Sequence, residues 1–80
     1  MILKNMRQER GLTAKFIYSA LGINQSTYSR YENSERCPPV NFFVALKNIY
    51  NLNHTEVLTL MQVVEKEVKE HGKGVRKITQ

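Results

Sequence analysis

The sequence is short of several things, and each shortage excludes a class of protein. It has one cysteine, no tryptophan, two prolines and four glycines in 80 residues. A lone Cys37 cannot close an internal disulfide, which argues against a stapled secreted module and for a reducing, cytoplasmic setting. No apolar run approaches the roughly 18–20 residues of a membrane span. The opening Met1-Ile2-Leu3-Lys4-Asn5 has no long apolar stretch of the secretory kind. No Ser-His-Asp or Cys-His set and no paired carboxylates form a recognisable site, and the chain is short for a walled cleft. The expectation is therefore no enzyme, no cofactor, no metal and no small-molecule ligand. His54 reads as a capping or exposed side chain, and Cys37 as a loop thiol, because neither has a partner at metal-ligand spacing.

Acidic residues are also scarce: 7 Asp+Glu stand against 12 Lys+Arg, a formal charge of +5. The excess is unevenly placed. Residues 1–53 hold seven basic and three acidic residues, a net of +4. Residues 54–72 hold two basic and four acidic, a net of −2, and residues 73–80 add +3 from Lys73, Arg76 and Lys77. A basic body and a basic end suit a polyanionic partner.

What is present is helical patterning. No stretch sustains period-2 alternation, and no Asn-Gly or Asp-Gly hairpin signal occurs. The spacing predicts five helices. The first covers about Ile2–Arg10 and is ended by Gly11. The second begins at the N-cap Thr13 and runs to Leu21 before Gly22. The third runs from Asn24 to about Asn33. The fourth covers about Val40–Tyr50, with Pro39 suited to its first position. The fifth opens near Asn53–Thr55 and ends by His71, where Gly72 and Gly74 stop it. An all-α fold follows, with residues 1–62 as the domain, 63–72 as an extension of the last helix and 73–80 as a flexible basic tail.

The segment Thr13–Glu32 joins two short capped helices through a tight turn at Gly22, the arrangement of a helix-turn-helix. On a helical wheel of the third helix, Tyr28 and Tyr31 share one face. Gln25, Ser26, Ser29, Arg30 and Asn33 collect on the opposite one. That face carries amide, hydroxyl and guanidinium groups and no carboxylate, the groups that pair with base edges in the major groove. Lys15 sits in the first turn of the second helix, where the helix dipole disfavours a cation, and position 16 is Phe16 instead of the Glu of a capping box. That helix start is open to an external anion such as a DNA phosphate.

Gly11-Leu12-Thr13, Leu21-Gly22-Ile23 and Ser26-Thr27-Tyr28-Ser29-Arg30-Tyr31-Glu32-Asn33 together resemble the lambda-repressor-like helix-turn-helix family. This is the phage repressor, Cro and xenobiotic-response-element-type group. The spacing matches without a gap from Arg7 to Asn33 and continues more loosely to about Met61. The resemblance implies a compact five-helix domain and a transcriptional regulator, of repressor type, that puts the third helix into the major groove of double-stranded DNA. The family setting is prokaryotic or phage; the expectation of a homodimer on a near-palindromic operator rests instead on the seam of the last helix described below. It implies base contacts from Gln25, Ser26, Ser29 and Arg30, and phosphate contacts from Lys15, Asn24, Thr27 and Arg36. It also implies a largely buried salt bridge between Arg7 and Glu32.

The chain departs from the family pattern at Ala14 (Gln in the family), Phe16 (a charged residue), Tyr18 (Ala), Tyr28 (Val or Ile) and Ser34 (Gly). Tyr18 is the largest departure: either the second and third helices splay, or Tyr18 leans to the rim. Ala14, Phe16 and Tyr18 favour an alternative function, a protein-interaction module such as an antitoxin or antirepressor. In the last helix, Val57, Met61, Val64 and Val68 are spaced 4, 3, 4 as in a heptad seam. Val64 and Val68 lie beyond the family's usual end, so a dimer contact is expected there.

Overall fold

A computed structural model describes the backbone of residues 1–79 and the side chains of residues 1–71. Among the described residues there are five helices and no strand: α1 (Ile2–Glu9), α2 (Ala14–Leu21), α3 (Gln25–Glu32), α4 (Val40–Tyr50) and α5 (His54–Thr79). The all-α reading holds, and the helices differ from the predicted ones mainly at their ends.

Local chemistry fixes most of those ends. Thr13 Oγ1 accepts the Phe16 N–H at 3.1 Å and starts α2, and Asn24 Oδ1 accepts the Thr27 N–H at 2.8 Å and starts α3. Each cap satisfies one donor that the helix itself leaves unpaired. Asn53 and Glu56 close a reciprocal capping box at the start of α5, at 2.8 and 2.9 Å. Pro39 is the residue before α4, one position outside its expected place within the helix.

α1 stops at a left-handed Gly11, φ +66°. The Gly11 N–H reaches the Gln8 carbonyl at 3.0 Å and the Leu12 N–H reaches the Arg7 carbonyl at 3.1 Å, the Schellman pattern. α3 ends the same way with Ser34 in the left-handed position, φ +60°. That conformation costs a non-glycine residue about 1–2 kcal/mol. Here the residue is buried, its hydroxyl donates to Met1 Sδ at 3.3 Å, and the Glu35 N–H reaches the Arg30 carbonyl at 2.9 Å.

Two expectations about the last helix need correction. The backbone does not stop at Gly72: α5 is helical to Thr79, which takes in residues 73–79 of the proposed tail, while Gln80 lies outside the described residues. A glycine inside a helix costs only about 1 kcal/mol relative to alanine and does not forbid it. Val64 is not a free contact surface. It is 1% exposed and belongs to the core with Val57 and Leu60, and Met61 and Val68 pack against that core. The seam closes the domain's own interior, because α5 packs on both α1 and α4. Glu67, one residue before Val68, adds a polar tie: its carboxylate accepts the Ile2 N–H at 3.1 and 3.3 Å. Met1 offers α1 no side-chain cap, so an acid from α5 supplies the anion that the start of α1 favours.

The rest of the core is aromatic. Tyr31 and Phe42 meet edge to face at 5.0 Å between ring centres, and Phe42 and Phe43 do so at 5.5 Å. Such pairs contribute about 0.5–1.5 kcal/mol beyond the area they bury. The Arg10 guanidinium lies over the Tyr50 ring at 4.6 Å and ties the end of α1 to the end of α4.

Candidate nucleic-acid interface

α3 is eight residues long and has two unlike faces. Tyr28, Tyr31 and Glu32 are buried in the body of the domain. Gln25, Ser26, Ser29 and Arg30 are exposed, as the wheel predicts, and so is Asn33 beyond the helix end. The sequence pattern sets this division. Residues 28 and 31 lie three apart, on one side of a 3.6-residue turn, and both are large aromatics. The positions between and opposite them are small or polar.

The inner face is held by an ion pair and a shared carboxylate. Arg7 Nε donates to Glu32 Oε2 at 2.7 Å, and Nη2 donates to Oε1 at 3.4 Å. The two side chains are 12% and 10% exposed, so the salt bridge implied between Arg7 and Glu32 is present and largely buried. The Arg7 pKa is raised above its ordinary value, chiefly by this hydrogen bond. The remaining Arg7 Nη1 donates to the Leu12 carbonyl at 2.9 Å and pins the α1–α2 turn as well. Tyr28 adds its hydroxyl to the same Glu32 Oε2 at 2.8 Å. Burial, reinforced by the Glu32 hydrogen bond, pushes the Tyr28 phenol well above its usual range. Every buried side-chain nitrogen and oxygen among the described residues has a partner.

Around the outer face the electrostatics favour an anion. None of α2, α3 and α4 has an acidic residue in its first turn. Glu32, the one acid within α3, is neutralised by Arg7. Among the described residues, the ion pairs are Arg7–Glu32 and Glu65–Lys69, so Arg30, Lys15 and Arg36 keep their charges uncommitted. Lys15 and Arg36 are exposed beside the starts of α2 and the loop after α3, and Asn24 is exposed at the start of α3. Thr27 is half-buried, the least accessible of the expected phosphate contacts. Helix starts with open N–H groups, uncommitted cations and a polar outer face can together hold a phosphate backbone and reach base edges.

Tyr18 settles one of the alternatives left open by the sequence. It is half-buried, with its ring centre 6.3 Å from that of Tyr28 and tilted by 50°. The side chain leans to the rim of the α2–α3 junction and packs on Tyr28, and α2 still packs on α3. Sequence reasoning missed three ties: the Tyr28–Glu32 hydrogen bond, the Asn53–Glu56 box and the Glu67 cap. The first two had a legible signal, an i,i+4 Tyr-Glu spacing and Asn-x-x-Glu. The third joins residues 65 positions apart and had none.

A helix-turn-helix family model matches residues 3–57, more than half of the chain. The chain therefore belongs to the lambda-repressor-like helix-turn-helix family, of Cro/C1 type. It carries the DNA-binding regulatory domain of that family. No curated protein and no solved structure matches it. Among the described residues no helix is long and apolar enough to cross a membrane.

Proposed function

We propose that the protein is a sequence-specific transcriptional repressor that sets α3 into the major groove of an operator. The observation that supports this most is the outer face of α3: Gln25, Ser26, Ser29 and Arg30 are exposed while the opposite face of the same helix is locked into the core. Arg30 reads guanine through its paired donors, and Gln25 suits adenine; Ser26 and Ser29 serve either base. Lys15, Asn24, Thr27 and Arg36 fix the register on the phosphates and carry little sequence information. The setting is the cytoplasm of a prokaryotic or phage-infected cell. The test is the affinity for a site selected from random DNA, set against random DNA at the same salt concentration. A ratio of about a thousand or more supports specific reading, and a ratio near one rejects it.

The repressor binds as a homodimer, which presents two copies of α3 about 34–36 Å apart to a near-palindromic site. Val68 is the contact residue retained from the sequence reading: it packs in part against the core but keeps some exposed surface, whereas Val64 is fully occupied by the core. Sedimentation at micromolar concentration should show a dimer that Val68→Glu weakens; a monomer throughout rejects this part.

One observation favours a second reading, a protein-interaction module. Phe16, in the first turn of α2, is 53% exposed and offers a partner a large aromatic surface. A specificity ratio near one together with weak salt dependence would support that reading.

A further inference from the structure

Tyr28 sits where the four helices of the body meet. Its ring centre lies 6.3 Å from that of Tyr18 on α2 and 6.4 Å from that of Phe42 on α4. Its hydroxyl donates to Glu32 Oε2 at 2.8 Å, the same oxygen that accepts Arg7 Nε from α1 at 2.7 Å. One side chain of α3 is thus referenced to α1, α2 and α4 at once, and it is 2% exposed. Ser29 and Arg30 are its immediate neighbours on the outer side. A turn of α3 about its own axis swings those two side chains and must also swing the Tyr28 ring. The ring is blocked on two sides, and its hydroxyl is held at the far end.

We propose that Tyr28 is a positioning residue for DNA reading: the wedge of its ring against Tyr18, and its hydroxyl on Glu32, fix the rotation of α3 and so decide which bases Ser29 and Arg30 reach. This rests on the DNA-reading function proposed above. The hydroxyl is not required for the ring to fill its space. A phenylalanine there keeps the packing and lets α3 turn by the small amount that the lost bond allows. Displacements of about 1 Å suffice to spoil hydrogen bonds to base edges, whose useful range spans only a few tenths of an ångström. Phosphate contacts, which depend on charge more than on direction, tolerate such a shift.

The experiment compares the natural protein with Tyr28→Phe, both at a temperature where unfolding curves show them fully folded. Each is measured on the sequence selected by the natural protein and on random DNA, over a series of salt concentrations. The expected result is a loss on the order of tenfold in affinity for the selected site, equal to about 1.4 kcal/mol. Random-DNA affinity and the salt slope should be unchanged. A fresh selection with the variant should return a broader site at the base pairs read by Ser29 and Arg30. A merely structural role lowers stability and leaves the specificity ratio of the folded protein intact; that outcome overturns the inference while leaving DNA reading in place. A natural protein without sequence preference overturns both together. If Tyr28→Phe does not fold, Tyr18→Leu removes the other half of the wedge at a half-exposed position. The same loss of ratio supports the inference, and an unchanged ratio overturns it.

Discussion

On α3, Tyr28, Tyr31 and Glu32 are buried, while Gln25, Ser26, Ser29 and Arg30 are exposed, although all seven come from one run of eight residues. The inner side chains have partners on α1, α2 and α4. Among the described residues the outer side chains have no hydrogen bond to any other part of the domain. The contrast divides the work of the helix. The inner face contributes stability and orientation, and the outer face is left to an external partner. A helix this short is not stable alone, so its placement must come from packing.

The division can be broken most directly from the inside. Glu32→Ala leaves Arg7 without its carboxylate and the Tyr28 hydroxyl without its acceptor in a nearly closed space. The expected loss is about 3–5 kcal/mol, the usual cost of orphaning one member of a buried pair. Urea unfolding measures it; a loss below about 1 kcal/mol would mean that the inner face is not held by this network. The complementary change is Arg30→Ala on the outside. It should leave the unfolding curve in place and weaken binding to the selected site by about 1–3 kcal/mol. A large drop in stability would show that the outer face is not separate from the inner one.

The pH dependence sharpens the same contrast. The Tyr28 phenol is raised above its ordinary 10.0, first by burial and then by its hydrogen bond to Glu32, and Tyr50 is raised by burial. A raised folded-state pKa means that the neutral phenol is favoured by folding. The stability from these two groups is complete below about pH 10 and is lost as pH climbs beyond it. Tyr28→Phe should flatten that alkaline decline in part; an unchanged slope would place its cause elsewhere. The smallest expected effect is Lys15→Ala, which should weaken all DNA sequences alike and reduce the salt slope by about one unit. A change in sequence preference instead would move Lys15 from the phosphates to the bases.

Much of this was readable from the chain. Thr13 and Asn24 announce helix starts, Gly11 and Gly22 announce turns, and the Tyr28/Tyr31 spacing fixes which side of α3 faces inward. These are local signals, carried within three or four residues. Val64 failed because a 4-3-4 seam is the same whether it faces a second copy or the domain's own core, and only the path of α5 past α1 and α4 decides. The Glu67 tie to Ile2 was hidden for the same reason. Gly72 misled because a glycine weakens a helix without ending it unless left-handed geometry or a proline follows. The rim position of Tyr18 depended on the space left by Tyr28 and could not be read from either residue alone.

The central claim is that the outer face of α3 reads DNA sequence. It is tested most directly by selecting bound sequences from a random double-stranded pool, first with the natural protein and then with Arg30→Ala, at one fixed salt concentration. The predicted result is a defined near-palindromic site containing a guanine whose selection is lost in the variant, with the rest of the site retained. An identical site and identical affinity for both proteins would contradict the placement of α3 in the major groove.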